Sequence, residues 1–172
     1  ASLLEKDITY KQAAQVLPFA NTLMTTRITG AQFKKTLEQQ WQRDDKGEVP
    51  SRPYLQLGVS KNVTYTYDES REEGDRITSI RINGKPIDPR GTYTVGSGSF
   101  LIAGGDNFTE LAKGSKPVDT GKIDLSAWVD WIKAQKTLKP DFAKRAVSLT
   151  TSLKEGMSKD ATFTIGKPAD KA

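Results

Sequence analysis

Cysteine and histidine are both absent from the 172 residues. Without cysteine there are no disulfides, no thiolate nucleophile and no cysteine-ligated metal. Without histidine the chain lacks the usual general base at neutral pH, the commonest transition-metal ligand and every Ser-His or Cys-His nucleophile pair. A hydrolase built with this chain must carry that chemistry elsewhere. Long apolar runs are also missing: nothing approaches the ~20 residues of a membrane span, and no signal-peptide pattern opens the chain. The first residue is Ala1 rather than Met, which leads to the expectation of a processed or excised piece. Lys and Arg outnumber Asp and Glu by 26 to 21, a net charge of +5, with a pI near 9.3. The basic residues are scattered rather than gathered into a stripe, so no nucleic-acid polymer is expected as partner. The lack of cysteine fits an exported bacterial protein without requiring one.

What is present fits one folded unit. Hydrophobic residues make up 35% and charged residues 27%, enough to bury a core in a chain of this length. Thr9 and Gln12 have capping-box spacing, so a helix should run through "KQAAQVL" and stop at Pro18. "NTLMTTRIT" (21–29) reads as a strand. A second capping box, Thr29 to Gln32, opens a helix with Phe33, Leu37 and Trp41 on one face. After a polar loop (43–53), "YLQLGV" (54–59), "VTYTYD" (63–68) and "RITSIRI" (76–82) read as successive strands. Asn83-Gly84 marks a tight hairpin turn leading through "KPIDPRG" to "TYTVGSG". Asp124 should cap a helix with Leu125, Trp128, Val129 and Ile132 on its apolar face. "AVSLTT" (146–151) and "ATFTIG" (161–166) read as closing strands, and "KPADKA" as a frayed tail. Helices at both ends with a block of strands between them imply an α+β domain, mixed β-sheets flanked by helices.

One stretch raises a chemical question. In "SFLIAGGDNF" (99–108) an aromatic residue and an acid stand on either side of two glycines. Taken alone it favours a turn, because glycine permits unusual backbone angles and Asp106 can bond its own backbone. The alternative is a ligand loop in which ring, amides and carboxylate converge on a flat polar molecule.

Three ordered segments bear on that choice: "ITYKQAAQVLPFANTLMTTRITGAQFKKTLE" (8–38), "YLQLGV" (54–59) and "INGKPIDPRGTYTVGSGSFLIAGGDNF" (82–108). Together they resemble the C-terminal, substrate-specificity domain of the 5′-nucleotidase / UDP-sugar hydrolase family. The resemblance implies that Phe19 and Phe100 sandwich a nucleobase, with Leu101, Ile102 and Ala103 in the same binding segment. It further implies that Asn21 bonds the base edge and that Asp106 contacts the ribose hydroxyls. Gly104, Gly105 and Gly58 fall where the family brings backbone close to the ligand. The roles suit the residue types: base–aromatic stacking contributes ~1–3 kcal/mol per base, and an ionised carboxylate accepts two hydroxyl bonds.

The ordinary readings stand beside these. Phe19 after Pro18 resembles a core residue at a helix end, and Asn21 a strand cap. Trp41, Trp128 and Trp131 read as packing residues, Tyr65 and Tyr67 as alternating strand residues, and the acidic run 69–75 as a solvated loop. Asn62 and Asn107 begin glycosylation sequons of a kind common by chance.

The resemblance also implies a partner domain. In that family an N-terminal metallophosphoesterase domain holds two divalent metal ions, and arginines before this segment bind phosphate. The expectation is therefore a nucleoside-recognition domain over 1–145 of a secreted, cell-surface or periplasmic nucleotide hydrolase. Residues 146–172 would form closing strands or begin another module. The chain itself is expected to hold no cofactor and to be inactive alone. The runner-up parent is a 2′,3′-cyclic-nucleotide 2′-phosphodiesterase/3′-nucleotidase, which shares this domain; the alternative from another class is a non-catalytic cell-surface module, against which Phe19, Phe100 and Asp106 speak.

Overall fold

The computed structural model describes residues 7–44, 46–135 and 137–149. Two sheets share one helix between them. Strand β1 (Thr22–Thr29) is the centre of a three-stranded antiparallel sheet, between β5 (Thr92–Gly98) and β6 (Ser115–Ile123). The second sheet runs in the order β4 (Lys85–Pro86), β3 (Ile77–Ile82), β2 (Val63–Tyr67), β7 (Ala146–Ser148), and its β2–β7 pair is parallel. The α+β class with mixed sheets is thus observed.

Local chemistry accounts for the clearest elements. Helix α1 (Tyr10–Val16) and helix α2 (Gly30–Glu38) both begin in complete capping boxes, Thr9 with Gln12 and Thr29 with Gln32. In each, the threonine hydroxyl takes one orphan amide while the glutamine returns to the threonine amide. Asn83 and Gly84 both have positive φ, 52° and 74°, which turns β3 back into the short β4.

α2 supplies the core. Leu37, fully buried, packs with Tyr65, Ile77 and Ile80 of the second sheet. Ile28 of β1 packs with Phe108 and Leu111 in a second cluster, and Phe33 and Leu57 touch both. Burying side chains of this size contributes ~1.5–3 kcal/mol each. The α2 N-terminus lies so close to the 87–91 turn that a Cβ on Gly30 would fall 2.2 Å from the Asp88 carbonyl oxygen. Any side chain there would drive that turn away.

Two expectations need correction. The helix expected to reach Trp41 ends at Glu38, and Trp41 instead bridges to Tyr54. "YLQLGV" is not a strand beyond that bridge, because α2's end takes its amides. Leu55 N–H donates to the Gln40 carbonyl (2.8 Å) and Leu57 N–H to Gln40 Oε1 (2.8 Å). The Asn83-Gly84 hairpin closes as expected on β4, and the chain then leads through 87–91 to β5, which pairs with β1 in the other sheet. β6 carries no alternating pattern and includes Pro117 and Gly121. It forms as an edge strand, with register shifts against β1, the kind of position where proline is tolerated.

Helix α5 (Asp124–Gln135) follows at once, with Trp128 and Trp131 stacked at 5.2 Å. "ATFTIG" and "KPADKA" lie outside the described residues.

Candidate functional site

The glycine segment is a chain of tight turns, not a strand exit. Helix α3 (Ser99–Ile102) is one turn long. Successive residues on it point about 100° apart, which sends neighbours to different environments. Ile102 is buried and Leu101 packs on the Ile28 cluster, while Phe100 is 51% exposed. The Ile102 side chain belongs to the core, and the partly buried Leu101 packs against it. Gly104 closes the turn at φ 90°, the left-handed setting that glycine adopts without a Cβ penalty. Gly105 is needed for another reason: a Cβ there would sit 2.5 Å from Cζ of Phe100. The ring rests on the glycine.

Beyond it, Asp106 (φ 50°) and Asn107 (φ 62°) are both left-handed. Two adjacent non-glycine residues in that region carry strain, a feature that concentrates at ligand sites. The strain is held from α2's end. Asn107 Nδ2 donates to Gln42 Oε1 (3.0 Å), Gln39 Nε2 to Thr109 Oγ1 (2.7 Å), and the Glu110 amide to Gln39 Oε1 (3.2 Å). Below, Phe108 is 2% exposed and anchors the loop in the core. A short helix α4 (Thr109–Ala112) follows.

The Pro-Phe segment is placed by α5. The Asn21 amide donates to Asp124 Oδ2 (3.2 Å), and the Asp124 amide to the Asn21 carbonyl (2.9 Å). Before it, Ala20 is left-handed at φ 52°, and Phe19 is 77% exposed. Asn21 also lies beside Gly98, whose Cβ would come 3.4 Å from that of Asn21. The structure thus sets Asn21 against the start of α3, and Phe100 against Gly105. A Cβ on Gly58 would meet open space. Ala103 lines a cavity of about 230 Å³ with Met24, Thr26 and Pro117.

Arg52 and Gln42 were not singled out from the sequence. Arg52 Nη2 stands 3.5 Å from Asp106 Oδ1, with Arg52 70% exposed. The one hint is polarity: "EQQWQ" (38–42) places glutamines where a helix end would otherwise be solvated. A second cavity, about 360 Å³, opens beside Asn107, lined by Lys35, Gln39, Trp41, Arg43 and Glu73. Arg43 clamps Glu73 there, and that hydrogen bond holds the Glu73 carboxyl below its ordinary range. Arg76 lies over the Trp41 ring at 5.1 Å. Among the described residues no group of three or more His, Cys, Asp or Glu is placed to hold a metal, and no helix is long and apolar enough to cross a membrane.

Comparison with known proteins places this arrangement. The family model for the 5′-nucleotidase C-terminal domain matches residues 1–113. The chain belongs to the 5′-nucleotidase C-terminal domain family. A 5′-nucleotidase-related protein of Glossina morsitans morsitans is 34% identical over 148 residues, covering 81% of this chain and 26% of that protein. Protein UshA of Yersinia enterocolitica is 31% identical over 132 residues, covering 77% of this chain and 22% of its own length. The crystal structure of a 5′-nucleotidase precursor from Thermus thermophilus superposes with a TM-score of 0.69 at 29% identity, over 83% of this chain and 28% of that one. The chain thus spans about a quarter of the length of these relatives.

Proposed function

We propose that this chain is the nucleoside-recognition domain of a secreted or periplasmic, metal-dependent phosphohydrolase of the 5′-nucleotidase type. The observation that carries the reading is the half-exposed Phe100 ring seated on Gly105, one residue before the left-handed Asp106. An aromatic face that solvent reaches, beside a carboxylate held in a strained turn, suits a nucleobase on the ring and ribose hydroxyls on the acid. The exposed Phe19, borne on the segment that Asp124 fixes, is the second wall, and Asn21 bonds the base edge.

Family membership supports a parent that hydrolyses nucleotide phosphate esters. The two divalent ions implied for that parent find no matching ligands among the described residues. They are assigned to an N-terminal domain outside this sequence. This domain's contribution is positional: it holds base and ribose so that the phosphate reaches a fixed place.

Calorimetric titration of the chain with adenosine tests the reading. Saturable heat that Phe100→Ala weakens by ~1–3 kcal/mol, with an unchanged melting temperature, is the expected result. Absence of binding, or a collapse of stability in the variant, would sink it.

A further inference from the structure

Arg52 stands beside the carboxylate proposed to hold the ribose, at the end of a polar loop. Two hydrogen bonds of Gln42, four residues past α2, tie down the segments on either side of the pair. Gln42 N–H donates to the Pro53 carbonyl (2.9 Å), and Gln42 Oε1 accepts from Asn107 (3.0 Å). One buried residue, 3% exposed, therefore fixes the segment carrying Arg52 and the turn carrying Asp106. The ion pair itself is long and solvent-facing, a kind that adds little to stability. A guanidinium has five N–H donors in a planar fork, and here the 3.5 Å contact to Asp106 Oδ1 engages one nitrogen.

We infer that Arg52 is a specificity-determining residue, and that the site prefers a ribose bearing a phosphate on its 2′ or 3′ oxygen over one with both hydroxyls free. The inference rests on the reading above, in which Asp106 takes the ribose hydroxyls. Asp106 alone would accept hydroxyl protons and repel a phosphate on the adjoining oxygen. Arg52 offsets that charge, and the N–H groups its single contact leaves unengaged can give a phosphate on that oxygen two charge-assisted hydrogen bonds at once. Asp106 Oδ2 is left to accept the remaining hydroxyl. A phosphate on the 5′ oxygen lies at the other end of the sugar and gains nothing from this pair.

The experiment is a titration of the chain with adenosine, adenosine 5′-monophosphate and adenosine 3′-monophosphate, repeated for Arg52→Ala and Arg52→Lys. The 3′-monophosphate should bind about tenfold more tightly than the other two, the worth of one charge-assisted hydrogen bond. Arg52→Ala should abolish or reverse that preference at an unchanged melting temperature, and Arg52→Lys should keep part of it. Raising salt should weaken the 3′-monophosphate and leave adenosine alone. Adenosine binding with no preference for the 3′-monophosphate, or a preference that survives Arg52→Ala, overturns the role of Arg52 and leaves the nucleoside site standing. Failure of all three ligands overturns the nucleoside site and the role of Arg52 together.

Discussion

The ring of Phe100 lies against Gly105 so closely that a methyl group on that glycine would meet three ring atoms at 2.5–2.6 Å. The two residues act as one surface, and the glycine is the part that can be changed without altering the ring's own chemistry. Gly105→Ala should tilt Phe100 off its seat while leaving its chemistry intact. Adenosine affinity should fall by ~1–3 kcal/mol, the worth of one base stack. Because the ring is half exposed, the melting temperature should move little. An unchanged affinity would show that the ring's present angle is irrelevant to ligand.

Gln40 is fully buried and engaged at both ends. Its Nε2 donates to the Leu37 carbonyl, and its Oε1 accepts from the Leu57 amide and the Tyr65 hydroxyl. Gln40→Ala strands those groups in the core and opens a void, for a loss of about 2–4 kcal/mol. Chemical denaturation would measure it. Amide exchange at Leu57 should accelerate more than at strand β3, because the 54–59 segment depends on this side chain.

Two phenols resist ionisation. Burial pushes Tyr54 and Tyr65 upward, and the Tyr54 hydroxyl has no hydrogen-bond partner. A folded-state pKa above the unfolded one adds stability in full below the unfolded value, near pH 10.0, and loses it as pH rises further. The expected result is an alkaline titration, followed by tyrosinate absorbance, in which these two tyrosines ionise only with unfolding. Smooth ionisation of all five tyrosines before any loss of circular dichroism would contradict it.

Acid should act through Glu73 and Asp75. Hydrogen bonds from Arg43, and from Arg71 and Lys34, hold these carboxyls below their ordinary values. Depressed carboxyls stabilise the fold above the unfolded values, 4.5 for Glu and 3.8 for Asp, and the effect fades as pH falls through the folded ones. Glu73→Gln should therefore narrow the gap in melting temperature between neutral and acidic solution, about pH 6 against about pH 3. Both acids are substantially exposed, so the change should be small and should shrink in high salt.

The elements readable from sequence were those whose cause is local. Thr9, Thr29 and the Asn83-Gly84 pair each carry their instruction within a few residues. "YLQLGV" misled because its alternation is that of a strand, while its amides bond to Gln40 across a long loop. β6 was invisible because an edge strand held by β1 needs no apolar face of its own. The site divides the same way. Phe100, the glycines and Asp106 stand in one motif, whereas Arg52 reaches Asp106 across 54 residues, and no spacing rule announces such a pair.

The pairing of β6 with β1 and of β7 with β2 also sets a timetable. Both outer strands lie beyond the 113 residues that the family model matches, so the inner strands are made long before their neighbours. At synthesis rates of about 5–20 residues per second, the nascent chain waits several seconds with β1 and β2 each open along one side. Open strand edges recruit other chains. Recombinant versions cut at residue 113 should therefore precipitate, and those that continue through Ser148 should stay dispersed.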